Sequence, residues 1–212
     1  MPIREFSIQT ADNFLRGGEI TKQENLWDAT ACHKNLEIIG DKNLTVKKTK
    51  EGSDWLSVFA KHPILPNNNS SNIFYFEITV KNLLGCILFG FADKQNKNAL
   101  DKGPNFLKHS YIYHLDGYFY INENQPYVGY KCGVGDTVGI GVNLATRQII
   151  FTKNGRPIDS NILSISSLLP PSAFEQLFPF VALFSIGDEI TANFGAEEFK
   201  FNQKLSELRN IH

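Results

Sequence analysis

Five histidines, three cysteines and a scatter of carboxylates are the side chains of this sequence with the chemistry of catalysis or metal binding. His33, His62, His109, His114 and His212 show no HxH, HxxxH or HExxH spacing, so no pair is set on one face of a helix or strand to grip an ion. No metal is expected. Cys32, Cys86 and Cys132 make neither a CxxC pair nor a disulfide framework, and widely separated thiols in odd number read as reduced cysteines. The glycine-rich string GVGDTVGIG (133–141) departs from GxGxxG and runs into a strand, where a phosphate cradle needs the start of a helix. Asp93, Asp101, Asp116 and Glu123 read as turn and surface carboxylates rather than as an acid–base pair, and no GxSxG elbow is present. The expectation is a protein without catalysis and without a cofactor.

Bulk properties narrow the partner classes. The 212 residues carry a net charge of −1 with both signs interspersed, which builds no basic face for phosphate backbones. No apolar tract approaches the ~20 residues of a membrane span. Neither nucleic acid nor membrane is expected as a partner. The opening MPIREFSIQT places charges early and has no apolar h-region, so no signal peptide is expected in this chain.

The elements that would position functional residues are mostly strands. Runs such as LSVFAK, IFYFEITVK, GCILFGFAD, SYIYHL, DTVGIGVNLAT, RQIIFTK, FPFVALFS and EITANFG are short, β-rich and separated by turn residues, the pattern of a sandwich. Within FYFEITV, Phe74, Phe76, Ile78 and Val80 share one face, and Tyr75, Glu77 and Thr79 the other. In DTVGIGVNL, Gly139 and Gly141 lie opposite Val138, Ile140 and Val142 and leave room for a second layer. Asn154-Gly155 and Asp116-Gly117 each predict a two-residue type I′ hairpin. ADNFLRGG predicts one or two helical turns capped by Asp12 and stopped at Gly17-Gly18, and KLSELRNIH a short tail helix with Leu205 and Leu208 on one face. SNILSISSLLPPSAFE (160–175) predicts an extended loop over one end. The tyrosines of SYIYHLDGYFYIN (Tyr111, Tyr113, Tyr118 and Tyr120) pack across strands, and any left exposed would suit an interface.

HPILPNNNSSN (62–72) lies between strand-like runs, so it reads as a displayed loop rather than a linker. Pro63 and Pro66 stiffen it, lowering the entropy a partner must remove. Ile64 and Leu65 would then be apolar contacts on a polar rim.

Ordered blocks from Trp27 to Phe201 resemble a SPRY domain: FAKHPI, FYFEITV, FGFAD, KHSYIYHLDG, NQPYVG, VGDTVGIGVNLATRQIIFTKNG and LFPFVALFSIGDEITANFG. They are similar to the Ran-binding-protein-M branch. WDATACHKNLEIIG, SVFAKHPIL and the long glycine-rich block resemble more closely the secreted SPRY effectors of plant-parasitic cyst nematodes. The resemblance implies an all-β fold, a bent two-sheet antiparallel β-sandwich with short N-terminal and C-terminal helices. It divides the chain into a lead (1–26), the SPRY domain (27–201) and a tail (202–212). It also implies a shallow partner-binding surface at one end, made by Pro63, Ile64, Leu65, Leu83, Leu84, Phe106, Leu183, Phe184 and Ser185.

Where Ran-binding-protein-M relatives carry Trp before DKHSY this chain has Phe106, and polar contacts of peptide-binding relatives fall on Leu83 and Leu84, so a different partner is implied. That partner is a host protein, an immune receptor or a ubiquitin-pathway component. It would be met by a monomeric effector secreted by the parasite and acting in the host cytoplasm or nucleus to modulate or trigger immunity. The competing expectations are an endogenous adaptor presenting substrates to a ubiquitin ligase and a lectin-like sandwich. Leu183→Asp and Phe184→Asp are both expected to weaken binding at little cost in stability.

Overall fold

The computed structural model describes residues 3–20, 24–42, 44–51, 55–64, 73–94, 100–101, 110–121, 127–128, 130–158 and 176–210. Leu65, Phe106 and the stretch 160–175 lie outside the described residues. Among the described residues two helices, α1 (Ile3–Phe14) and α2 (Lys200–Arg209), flank fourteen strands. These are β1 (Trp27–Cys32), β2 (Leu36–Ile39), β3 (Thr45–Lys48), β4 (Leu56–Ala60), β5 (Ile73–Asn82), β6 (Ile87–Asp93), β7 (Tyr111–His114), β8 (Tyr118–Ile121), β9 (Tyr127–Val128), β10 (Thr137–Asn143), β11 (Gln148–Lys153), β12 (Arg156–Pro157), β13 (Leu177–Leu183) and β14 (Glu189–Asn193).

They form two seven-stranded sheets, ordered β1-β4-β13-β6-β7-β8-β9 and β12-β11-β10-β5-β14-β3-β2, antiparallel throughout their paired strands. The period of two along each strand sorts the side chains. Phe74, Phe76, Ile78 and Val80 of β5 and Val138, Ile140 and Val142 of β10 enter the core between the sheets, facing Phe89, Phe91, Val181 and Leu183 of the other sheet. Burying a large apolar side chain there stabilises the fold by about 1.5–3 kcal/mol.

The far face of the second sheet is covered by the helices. Tyr75, Ile150, Ala11, Phe14, Phe201 and Leu205 pack together over β5, β10 and β11. Gly139 and Gly141 make this possible: a Cβ on either would collide with Tyr75, and one on Gly141 would also come within 2.9 Å of the Phe14 ring. The second layer anticipated over these glycines is therefore Tyr75 and the ring of Phe14. α2 has no side-chain cap of its own at Phe199. Glu77, 3% exposed, caps it instead. Its Oε2 accepts the Lys200 N–H at 3.0 Å, and its Oε1 accepts the Phe201 N–H and the Tyr75 hydroxyl, each at 3.0 Å.

Two local expectations change. Asp12 caps nothing; it sits inside α1, which begins earlier than its apolar pattern suggested, and pairs with Arg209 of α2. Asn154 and Gly155 take the positive φ angles of a two-residue turn, 49° and 77°. The β7–β8 hairpin differs. His114 pairs with Tyr118, leaving Leu115, Asp116 and Gly117 in a three-residue loop with only Gly117 at positive φ. Leu115 is 1% exposed: the core draws it in and lengthens the turn by one residue.

Candidate partner-binding surface

β13 runs across the first sheet and fixes the two ends of the sandwich. At its start, Leu177 accepts the Ile64 N–H at 2.9 Å; just past its end, Phe184 donates to the Cys86 carbonyl at 3.0 Å. Seven strand residues separate them, about 20 Å at ~3.3 Å per residue. Pro63 and Ile64 therefore stand at the opposite end from Leu84, Phe184 and Ser185. The single ridge expected from sequence does not exist.

Burial corrects two more assignments. Ile64 and Leu183 are both 0% exposed and belong to the core between the sheets. Ile64 is held down by its backbone bond to β13 and points inward. Leu183, paired with Ile87 and Leu56, is the last inward residue of its strand, one step before the outward Phe184. Neither side chain is available to a partner. Leu83 is half-buried against the same core, whereas Leu84 is 67% exposed and Phe184 38%.

The far end of β13 gathers apolar side chains. Among the described residues, the exposed large hydrophobics are Ile39, Leu84, Tyr118, Tyr130, Val134, Phe184 and Ile186. All but Ile39 lie at this end. Leu84 occupies the turn from β5 to β6, Phe184 and Ile186 the turn from β13 to β14, and Tyr118 the start of β8. Tyr130 and Val134 belong to the segment entering β10, tied here by the Cys132 N–H to Leu115 and the Gly135 N–H to Val80.

One carboxylate organises the two turns. Asp188 is 0% exposed. Its Oδ1 accepts the N–H groups of Leu84 (2.7 Å) and Gly85 (3.1 Å), and its Oδ2 those of Phe184 (3.2 Å) and Ser185 (2.7 Å). Four charge-assisted bonds from two turns to one buried group leave the turns little freedom. The buried Lys48 ammonium donates to the Phe184 carbonyl, fixing the same turn from β3. A Cβ on Gly85 would strike Ser185, so the turns also touch with nothing between them.

Beside them runs a row of rings on the outer face of the first sheet. Trp55, just before β4, packs edge-on against Phe184 at 5.0 Å and His114 at 5.8 Å; His114 reaches Tyr118 at 6.3 Å and Tyr120 at 6.5 Å. Under this row Cys86 Sγ lies 3.2 Å from His114 Nδ1. Burial pulls the His114 pKa down against the attraction of Asp116, and it pushes the Cys86 thiol up to about 12, with Asp116 adding to the rise. Of the four hairpin tyrosines, Tyr111 and Tyr113 are core side chains, Tyr120 is half-buried and Tyr118 is exposed.

Sequence reasoning thus brought together Leu83, Leu84, Phe184 and Ser185. It missed Trp55, His114, Ile186 and Asp188. A lone Trp directly before a strand, and an Asp one residue before one, were the available signals. The turns, ring row and core arrangement all sit on one two-sheet framework, and the pattern of residues 73–197 matches the family model described as SPRY domain. The chain belongs to the SPRY domain family.

Curated relatives agree. This SPRY chain is 36% identical over 172 residues to Ran-binding protein 10 of Danio rerio, covering 77% of itself and 26% of that protein. To the Ran-binding protein M homolog of Arabidopsis thaliana it is 35% identical over 136 residues, 62% of itself and 27% of the relative. It spans under a third of the length of such relatives. Among solved structures, a human SPRY domain matches with TM-score 0.61 and 26% identity over 78% of this chain and 98% of that one. The SPRY domain of human HERC1, with TM-score 0.57 and 14% identity over 81% of this chain and 99% of its own, shares the fold.

Proposed function

We propose that this SPRY domain is a non-catalytic protein-binding module whose contact surface is the end of the sandwich carrying Leu84, Phe184, Ile186 and Tyr118, with Trp55 at its edge. The observation that carries the reading is the segregation of exposed apolar side chains to that end, on turns held by a buried carboxylate. Pre-ordered turns lose little entropy on binding, and aromatic anchors with an apolar centre supply the affinity of most protein interfaces.

The effector-like sequence blocks support a finer reading. The protein is secreted by a parasite and binds a host plant protein in the cytoplasm or nucleus, an immune receptor or ubiquitin-pathway component, so modulating or triggering immunity. Identity to Ran-binding proteins supports the second reading, an endogenous adaptor presenting substrates to a ubiquitin ligase.

Affinity capture from plant extract tests both surface and setting. A specific partner should be retained by wild type and by Ile39→Asp, which alters an exposed residue on the edge strand β2 away from these turns, and lost with Leu84→Asp and Phe184→Asp. Equal retention by all four proteins removes the surface. A partner found in animal but not plant extract favours the adaptor.

A further inference from the structure

Under the ring row, three chemically different ligand groups from three places in the sequence converge. Cys86 stands at the entry to β6, His114 at the end of β7 and Asp116 in the following turn, and one potential ligand atom from each lies within 4.8 Å of the others. From these residues we propose that the SPRY domain carries a transition-metal site, of zinc type, formed by Cys86 Sγ, His114 Nδ1 and an Asp116 carboxylate oxygen.

The spacing fits. Sγ lies 3.2 Å from Nδ1, and Nδ1 lies 3.6 Å from Asp116 Oδ2. A tetrahedral ion with a metal–sulfur bond of ~2.3 Å and metal–nitrogen and metal–oxygen bonds of ~2.0–2.2 Å places such ligand pairs about 3.3–3.6 Å apart. Sγ also lies 3.4 Å from Nε2, so it stands beside the ring rather than beyond Nδ1, and a turn of the His114 and Cys86 side chains is needed to aim the Nδ1 lone pair and Sγ at one ion. His114 already has the right form: the Asp116 N–H donates to Nδ1 at 3.2 Å, so that nitrogen carries a lone pair and Nε2 the proton. On coordination the Asp116 N–H, at an exposed turn, turns to water.

The backbone holds the three positions. The Cys86 carbonyl accepts from Phe184, and the His114 carbonyl accepts the Gly117 N–H at 2.8 Å, closing the turn that carries Asp116. A thiolate, an imidazole and a carboxylate together suit zinc or cobalt better than calcium or magnesium, which prefer oxygen alone. The fourth position opens past the exposed Asp116 to solvent and takes water. The site was invisible to spacing rules because its members sit 28 and 2 residues apart on different segments, as the β6–β7 pairing requires.

The chemistry balances with one proton. Burial holds the Cys86 thiol protonated, so binding exchanges its S–H proton for the metal ion and releases that proton to buffer.

Cobalt(II) titration of the reduced 212-residue chain tests this. Wild type should develop a thiolate-to-cobalt charge-transfer band saturating at one equivalent, bleached by added zinc, with about one proton released per ion by calorimetry in buffers of different ionisation enthalpy. Cys86→Ser should abolish the band, and Asp116→Asn, an exposed change that leaves the fold intact, should weaken binding about tenfold or more. No band in wild type, an undiminished band in Cys86→Ser from Cys32 or Cys132, or binding without proton release would each overturn the proposal.

Discussion

Two buried carboxylates, Asp188 and Glu77, do opposite jobs, one at an end of the sandwich and one on the helix-covered face of the second sheet. Asp188 gathers four backbone N–H groups from two loops and so makes a fixed, exposed surface out of segments that would otherwise wander. Glu77 gathers two backbone N–H groups and a tyrosine hydroxyl, and with them pins a helix onto a sheet, where nothing is displayed. The first arrangement fixes exposed turns and the second a buried seam. A buried charge is tolerated in either place only because donors surround it.

The contrast can be broken by substitution. The largest effect should come from neighbours that differ only in facing. Leu183→Asp puts an unpaired charge between the sheets and should cost more than about 4 kcal/mol, enough to unfold the domain in a urea titration. That reverses the expectation from sequence, which grouped Leu183 with Phe184 as a surface residue. Next, Asp188→Ala strips both turns of their common acceptor and should cost roughly 3 kcal/mol while abolishing partner capture. If it unfolds nothing and leaves capture intact, the turns are ordered by something else.

Glu77 gives a smaller effect with a definite sign. Burial raises its pKa, against the pull of the Lys200 and Phe201 N–H groups and the Tyr75 hydroxyl. Between the unfolded value near 4.5 and the higher folded value, the native state holds more proton than the unfolded one. Its contribution to stability is therefore greatest at low pH and declines as pH rises through that window. Glu77→Gln should flatten the corresponding slope in denaturation midpoint against pH. The smallest change in stability, within about 1 kcal/mol, should follow Phe184→Asp, whose ring already stands partly in water. Its effect belongs to binding.

Strand alternation and turn chemistry made most of the framework legible. The run FYFEITV assigned inward and outward faces correctly, and Asn154-Gly155 specified its turn. β1 escaped because WDATAC carries small and polar residues in place of a clean alternation, its burial being supplied by pairing with β4. The contact surface was only partly legible, for two reasons. A loop's composition does not say which end of a sandwich it occupies, and Pro63 and Ile64 stand at the end opposite Phe184 because strand β4 must first cross the sheet. Nor does sequence reveal one-residue reversals of facing at a strand's last step, which separate Leu183 from Phe184. Asp188 was unreadable as a hub, since all its partners are main-chain groups.

The bare strip along β10 carries a practical corollary. With a hydrogen atom in place of a side chain at Gly141, the sheet leaves a shallow seat that the rings of Tyr75 and Phe14 share. A single methyl at Gly141 would stand 2.8 Å from the Tyr75 ring and 2.9 Å from the Phe14 ring, so both rings must give way to it. The seating of both helices on the sheet can thus be probed by chemistry as light as one carbon atom, because Tyr75 also packs under the closing helix.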